Sequence, residues 1–183
     1  MNIFGHHACV CPVKGDRIKR HNIIRDILLD FCSSTAWAPV KEKAFLFAGS
    51  AERPADIFIP NYSCGKSLVL DNAVTCPLQH KYVVNAAQSA GFACNYADEI
   101  KSKSFESRVQ EEGFLYLPAV FESFGGFSRD LPDFFLKLTK SISTRFDEPQ
   151  FIICKALYAK LSCALMKSIA SSISSRFADF FIS

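Results

Sequence analysis

The stretch from Arg53 to Leu78 (RPADIFIPNYSCGKSLVLDNAVTCPL) limits the fold of this chain more than any other. It reads as a hairpin: a strand over Ala55–Pro60, a turn over Asn61–Lys66 rich in turn formers, and a second strand over Ser67–Thr75. Asp56 stands at the start of the first strand, and Asp71 follows Leu68-Val69-Leu70 in the second. An ionised carboxylate within an apolar strand is costly unless it is paired or holds a metal. Two of them set side by side repel each other unless a cation lies between. The hairpin therefore points to a divalent metal site. The alternative is that each aspartate caps a strand end facing solvent.

Composition agrees with a folded chain. Its 183 residues suffice for one domain with a core, and 18 phenylalanines with 49% hydrophobic residues argue against disorder. No uninterrupted apolar run approaches the about 18 residues of a membrane span. The start, MNIFGHHACVC, lacks the basic and apolar regions of a secretory signal. A nuclear or cytoplasmic protein, neither secreted nor membrane-bound, is expected, with its eight cysteines reduced. The net charge of +3 permits nucleic-acid binding without requiring it.

The N-terminus carries Gly5-His6-His7-Ala8-Cys9-Val10-Cys11. His6 and Cys11 have the spacing of the second half of a Cys-Cys-His-Cys zinc finger, which needs a Cys-x-x-Cys pair before it. None precedes it, so His6 and Cys11 form an incomplete Zn2+ half-site, with His7 and Cys9 or Cys11 as another choice of ligands and a metal-free terminus as the plain reading. A chain cut inside a finger is expected, binding Zn2+ only where the missing half is supplied. Next, Lys14, Arg17, Lys19, Arg20 and Arg25 make a basic stretch leading into a helix whose Ile24, Ile27, Leu28 and Phe31 form an apolar stripe, with Arg17, Lys19, Arg20 and His21 clustered near its start. Positive side chains there oppose the helix dipole but suit a phosphate at the helix-start amides; a solvated face is the alternative.

Trp37–Phe47 reads as a further strand. Its Glu42 is either a third site carboxylate or a partner of Lys41 or Lys43 in solvent. A long helix is expected over residues 81–110, with Val83, Ala87, Ala90, Cys94, Ala97 and Ile100 on one face, a kink at Gly91, and Lys101 and Lys103 toward its end. Phe114–Phe121 suits a buried strand, although Pro118 argues for an edge or a bulge. Leu131–Ile142 and Phe151–Phe177 read as packing helices.

The order helix, strand, Asp-bearing hairpin, long helix, strand resembles the PD-(D/E)xK nuclease core. Arg53-Pro54-Ala55-Asp56, fourteen intervening residues and Asp71 look like its two acidic positions. More narrowly, the chain resembles the restriction-endonuclease-like domain at the C-terminal end of non-LTR retrotransposon proteins. There a Cys-Cys-His-Cys finger lies just upstream, and the half-finger, Arg20-His21-Asn22, Leu70-Asp71-Asn72-Ala73-Val74 and Pro118-Ala119-Val120-Phe121-Glu122-Ser123-Phe124-Gly125 look like that family's blocks.

The resemblance implies an α/β fold, a mixed sheet flanked by helices, in which residues 1–12 are the finger remnant, 13–128 the endonuclease-like domain and 129–183 a helical extension packing on it. It also implies nicking of DNA by phosphodiester hydrolysis, with Asp56 and Asp71 holding Mg2+ or Mn2+. Arg53, Lys14, Lys19 and Arg20 would contact the DNA backbone, and the reverse transcriptase or RNA of a parent element would be further partners. The family's usual lysine position is Ala73 here. In this family a lysine of the following helix can replace it, and Lys101 matches best, with Lys103 next. If neither reaches the aspartates, the chain is a catalytically inactive DNA- or protein-binding module or a degenerate fragment.

Overall fold

The computed structural model describes residues 15–44, 46–47 and 55–182, with side chains through residue 175. It is a mixed α/β fold: a four-stranded mixed sheet flanked by helices. In chain order the elements are α1 (Asp16–Ser33), β1 (Val40–Lys41), β2 (Ile57–Ser63), β3 (Lys66–Thr75), α2 (Val83–Gln88), α3 (Phe92–Glu111), β4 (Leu115–Glu122), α4 (Leu131–Phe146) and α5 (Gln150–Ile182). The sheet order is β1-β2-β3-β4. β1, β2 and β3 run antiparallel, and β4 returns parallel to β3 after the crossover through α2 and α3. No helix among the described residues is long and apolar enough to cross a membrane.

The hairpin is longer than the turn residues suggest. β2 passes beyond Pro60 to Ser63, and only Cys64 and Gly65 turn, both at positive φ (49° and 76°), the backbone that joins two twisted strands with a two-residue loop. Pro60 is tolerated because it lies where the β2–β3 register shifts, between Ile59 and Ser63. Pro118 is tolerated for a related reason: β4 is an edge strand among the described residues. The strand expected over Trp37–Phe47 shrinks to Val40–Lys41, because Ala38 and Glu42, at φ 49° and 47°, bend the chain on either side.

Residues on the two faces of the sheet alternate, as the two-residue period of a strand requires. Ile57, Ile59, Leu68, Leu70, Ala119 and Phe121 face one way, into the main core. Phe58 and Val69 face the other, with Leu46, Phe47, Ala55 and Val109. The main core is closed by α1, α4 and α5. α5 buries Ile153, Leu157, Leu161, Leu165 and Ile169, an unbroken i, i+4 seam. α1 answers with Asp16, Arg20, Ile24, Leu28 and Cys32 at the same spacing. The C-terminal helices therefore supply a large part of the core shared with the sheet.

The expected helix over 81–110 is two helices. Gly91, at φ 76°, ends one run and precedes the next, and the change of phase leaves Val83 and Ala87 exposed. α3 begins on a carboxylate: Glu122 at the end of β4 accepts from the amides of Ala93 (3.1 Å) and Cys94 (3.2 Å) through Oε1. A buried acid on helix-start amides satisfies otherwise unpaired donors and the positive end of the helix dipole. Glu122→Ala is expected to cost about 2 kcal/mol in urea unfolding.

Burial also sorts the thiols. Cys32, Cys76 and Cys94 are buried, whereas Cys64 and Cys163 are exposed. Burial pushes the Cys32 thiol up to about 12. A brief N-ethylmaleimide pulse read by peptide mass is expected to label Cys64 and Cys163 while sparing Cys32, Cys76 and Cys94 until the protein unfolds.

Candidate functional site

β2 and β3 pair as Ile57↔Leu70, Phe58↔Val69 and Ile59↔Leu68. Continuing that register by one residue sets Asp56 opposite Asp71, on the face that carries Phe58 and Val69. This face lies against α3, so Asp71 meets that helix rather than the main core. The second aspartate thus follows from strand alternation alone, once the hairpin turn is placed.

Lys101 of α3 completes the group. Its Nζ donates to Asp71 Oδ2 at 2.5 Å, and the Tyr116 hydroxyl donates to the same oxygen at 2.9 Å. No donor among the described residues bonds Asp71 Oδ1. Burial holds the Asp71 carboxyl above the usual carboxylate range; Lys101 and Tyr116 pull against this, and the nearby Asp56 carboxylate adds to it. Burial likewise raises the Tyr116 hydroxyl, with Asp71 reinforcing the shift, so Tyr116 acts as a donor at neutral pH.

Asp56 is held differently. His21 Nε2 lies 3.0 Å from Oδ1, and the main-chain amide of Asn72 donates to Oδ2 at 2.6 Å. The two aspartate side chains are 16% and 15% exposed. Arg17, Ile18 and His21 of α1, Asp56, Asp71–Val74 of β3 and Lys101 line one open cleft of about 550 Å³.

The structure therefore gathers Asp56, Asp71 and Lys101 in one place. Lys103 is exposed and lines a separate shallow hollow with Glu99 and Glu106 on the outer side of α3; a helix turns 100° per residue, so two residues carry it away from Lys101. Lys19 is also exposed and faces a groove between α1 and α5 rather than the cleft. Arg20 departs from expectation. It is 3% exposed, and its guanidinium donates to Ser168 Oγ (2.9 Å) and Ser172 Oγ (3.5 Å) of α5. Arg20 is thus a buried tie between helices and no backbone contact for DNA. Its place four residues before Ile24, in line with the apolar seam, was the signal for this.

Glu42 bonds Arg25, and Lys41 instead pairs with Asp26 at 2.8 Å. Glu42 thus ties the β1 turn to α1 through Arg25, and it does not line the cleft of Asp56 and Asp71. His6, Cys11, Lys14 and Arg53 lie outside the described residues. Arg17, His21 and Asn72 line the cleft and Tyr116 bonds Asp71; Arg17 stands in the basic stretch and His21 and Asn72 in the family-like blocks, but only packing shows what each of them meets, and Tyr116 carries no pattern that sets it apart.

The two aspartates fit a small divalent cation. Both present hard carboxylate oxygens to one cleft, their charges interact, and among the described residues Asp71 keeps an oxygen without a donor. Among the described residues no three His, Cys, Asp or Glu side chains converge on a ready-made metal cage. Mg2+ characteristically takes one or two carboxylates and keeps its remaining positions for water and phosphate. Compared with protein-family models and with curated proteins, the chain matches none.

Proposed function

We propose that this chain is a metal-dependent DNA endonuclease domain of the PD-(D/E)xK type, derived from a retroelement, that nicks DNA by phosphodiester hydrolysis. The observation carrying the reading is the convergence of Asp56, Asp71 and Lys101, from three separate elements, on one open cleft. Asp56 and Asp71 would hold Mg2+ or Mn2+. When bound, the metal supplies Lewis-acid stabilisation of a phosphate oxygen and lowers the pKa of water. Lys101, anchored on Asp71, brings a fixed positive charge to the place where negative charge grows on the scissile phosphate. Tyr116 keeps the Asp71 carboxylate from swinging toward the lysine alone. Arg17, at the cleft, provides a backbone contact that adds affinity without choosing sequence. The reverse transcriptase or RNA of a parent element are further partners within this reading.

A second reading draws on the Lys101–Asp71 ion pair, which already neutralises one of the two carboxylates: an inactive module that binds DNA or protein. One experiment separates them. Supercoiled plasmid is incubated with the protein and Mg2+, with and without EDTA, alongside Asp56→Ala, and binding is followed by gel shift. The nuclease reading expects open-circle product that needs Mg2+ and disappears in Asp56→Ala, with the gel shift retained. Binding without nicking under Mg2+ or Mn2+ would favour the inactive module.

A further inference from the structure

Asp56 precedes the β2 ladder, so strand pairing does not fix its side chain. Two other contacts do. A carboxylate oxygen only accepts, so His21 Nε2–H is the donor to Oδ1, and the Asn72 amide is the donor to Oδ2. Among the described residues each oxygen is thereby held by one donor and retains a lone pair for a cation.

The two donors are themselves coupled. Asn72 is 2% exposed, and its side-chain Nδ2 donates to the main-chain carbonyl of His21 at 2.9 Å. The reverse orientation of that amide would set two oxygens face to face. Among the described residues Asn72 Oδ1 is left buried without a hydrogen-bond partner, an unfavourable state that plain packing would not call for. One residue thus grips Asp56 by its backbone and α1 by its side chain. Next to His21, Arg20 ties α1 to Ser168 and Ser172 of α5.

We propose that His21 is the positioning residue of the Asp56 carboxylate and Asn72 the strut that sets both; this rests on the nuclease reading, in which Asp56 is a metal ligand. Donors behind a ligating carboxylate fix its plane and hold its remaining lone pairs toward the ion. Losing such a donor typically weakens metal binding about 10- to 100-fold. His21 acts through Asp56 and need not touch DNA.

The test uses the full chain at fixed pH. Mn2+ binding is measured by electron paramagnetic resonance of the free ion, and nicking is measured against Mg2+ concentration. The variants are His21→Ala, His21→Gln, whose amide can stand in for Nε2–H, and Asp56→Asn, with thermal melts as the folding control. His21→Asn, with an amide too short to reach Oδ1, replaces His21→Ala should the latter not fold. The expected result is Mn2+ affinity lowered about 10- to 100-fold in His21→Ala, an equal rise in the Mg2+ needed for half-maximal nicking, and kcat at saturating Mg2+ within about threefold of wild type. His21→Gln should recover most of the lost affinity.

Wild-type Mn2+ affinity in His21→Ala, or a folded His21→Gln as impaired as the alanine variant, overturns the positioning role. If Asp56→Asn abolishes both binding and nicking at the same time, the nuclease reading stands without it. Mn2+ binding that depends on His21 in a protein that never nicks overturns the nuclease reading and leaves the positioning role in place. A wild-type chain that binds no Mn2+ overturns both.

Discussion

Asp71→Asn should lower the rate of Mg2+-dependent nicking by about 10³-fold or more, roughly 4 kcal/mol of barrier, while leaving the fold intact. The change keeps the size and shape of the side chain but removes half of the oxygen pair on which the metal site depends. Its structural effect should be small because two terms oppose each other. Burial disfavours the ionised Asp71 carboxyl, and asparagine removes that penalty. Against this, Lys101 loses its partner, but its side chain is 24% exposed at an open cleft. Stability in urea is expected to shift by less than about 1 kcal/mol. Lys101→Ala should lower nicking about 10²- to 10³-fold, because it removes the lysine whose ammonium bonds Asp71. Lys103→Ala, on the outer side of the same helix, should stay within about twofold. Equal losses at Lys101 and Lys103 would mean that the helix contributes charge to DNA binding and not to the site; plasmid nicking at saturating Mg2+ measures this directly.

Leu157→Ala carries the largest expected loss of stability, about 3–5 kcal/mol in urea unfolding. Leu157 is fully buried at the middle of the α5 seam and belongs to the same cluster as Ile57, Leu70 and Phe121 of the sheet and Ile24 and Leu28 of α1. Truncation leaves a cavity bounded by two helices and a sheet that cannot all collapse into it. Leu136→Ala in α4, where the leucine is 55% exposed, should cost no more than about 0.5 kcal/mol. The contrast tests whether the C-terminal helices are integral to the core. They also bear on the site. α5 supplies Ser168 and Ser172 to Arg20, and Arg20 adjoins His21 on α1. Loosening α5 should therefore raise the Mg2+ requirement of nicking before it unfolds the protein. A Leu157→Ala variant as stable as wild type would detach the last third of the chain from the rest.

Several elements were legible because their cause is local. Gly65 and the alternating apolar residues on either side of it locate the hairpin; Gly91 reads only as a kink in one helix, where the chain in fact forms two. The i, i+4 run from Ile153 to Ile169 predicts a long buried seam. Errors came where local signals compete. Pro60 looks like the end of a strand, but the register shift lets β2 run on to Ser63. The apolar residues of Trp37–Phe47 suggest a strand, but two residues at positive φ leave room for only Val40–Lys41. Arg20 looks like a free surface charge until its place on the α1 seam is counted.

The sequence by itself determined the hairpin and its two acidic positions; the structure placed the turn at Cys64-Gly65 and with it the face that Asp56 and Asp71 share. The hairpin follows from turn formers flanked by apolar strands with a period of two, which involve only neighbours along the chain. Only the tertiary structure decided which lysine meets Asp71, that His21 and Asn72 clamp Asp56, that Glu42 belongs to Arg25, and that Arg20 lies inside. Lys101 is 30 residues from Asp71, and Arg20 is 148 from Ser168. Partners of a charged side chain have no periodic signature: an ammonium or guanidinium on a flexible stem can reach any acceptor that packing brings near. Their pairing is therefore set by how the helices settle on the sheet, after the apolar pattern has already fixed the fold.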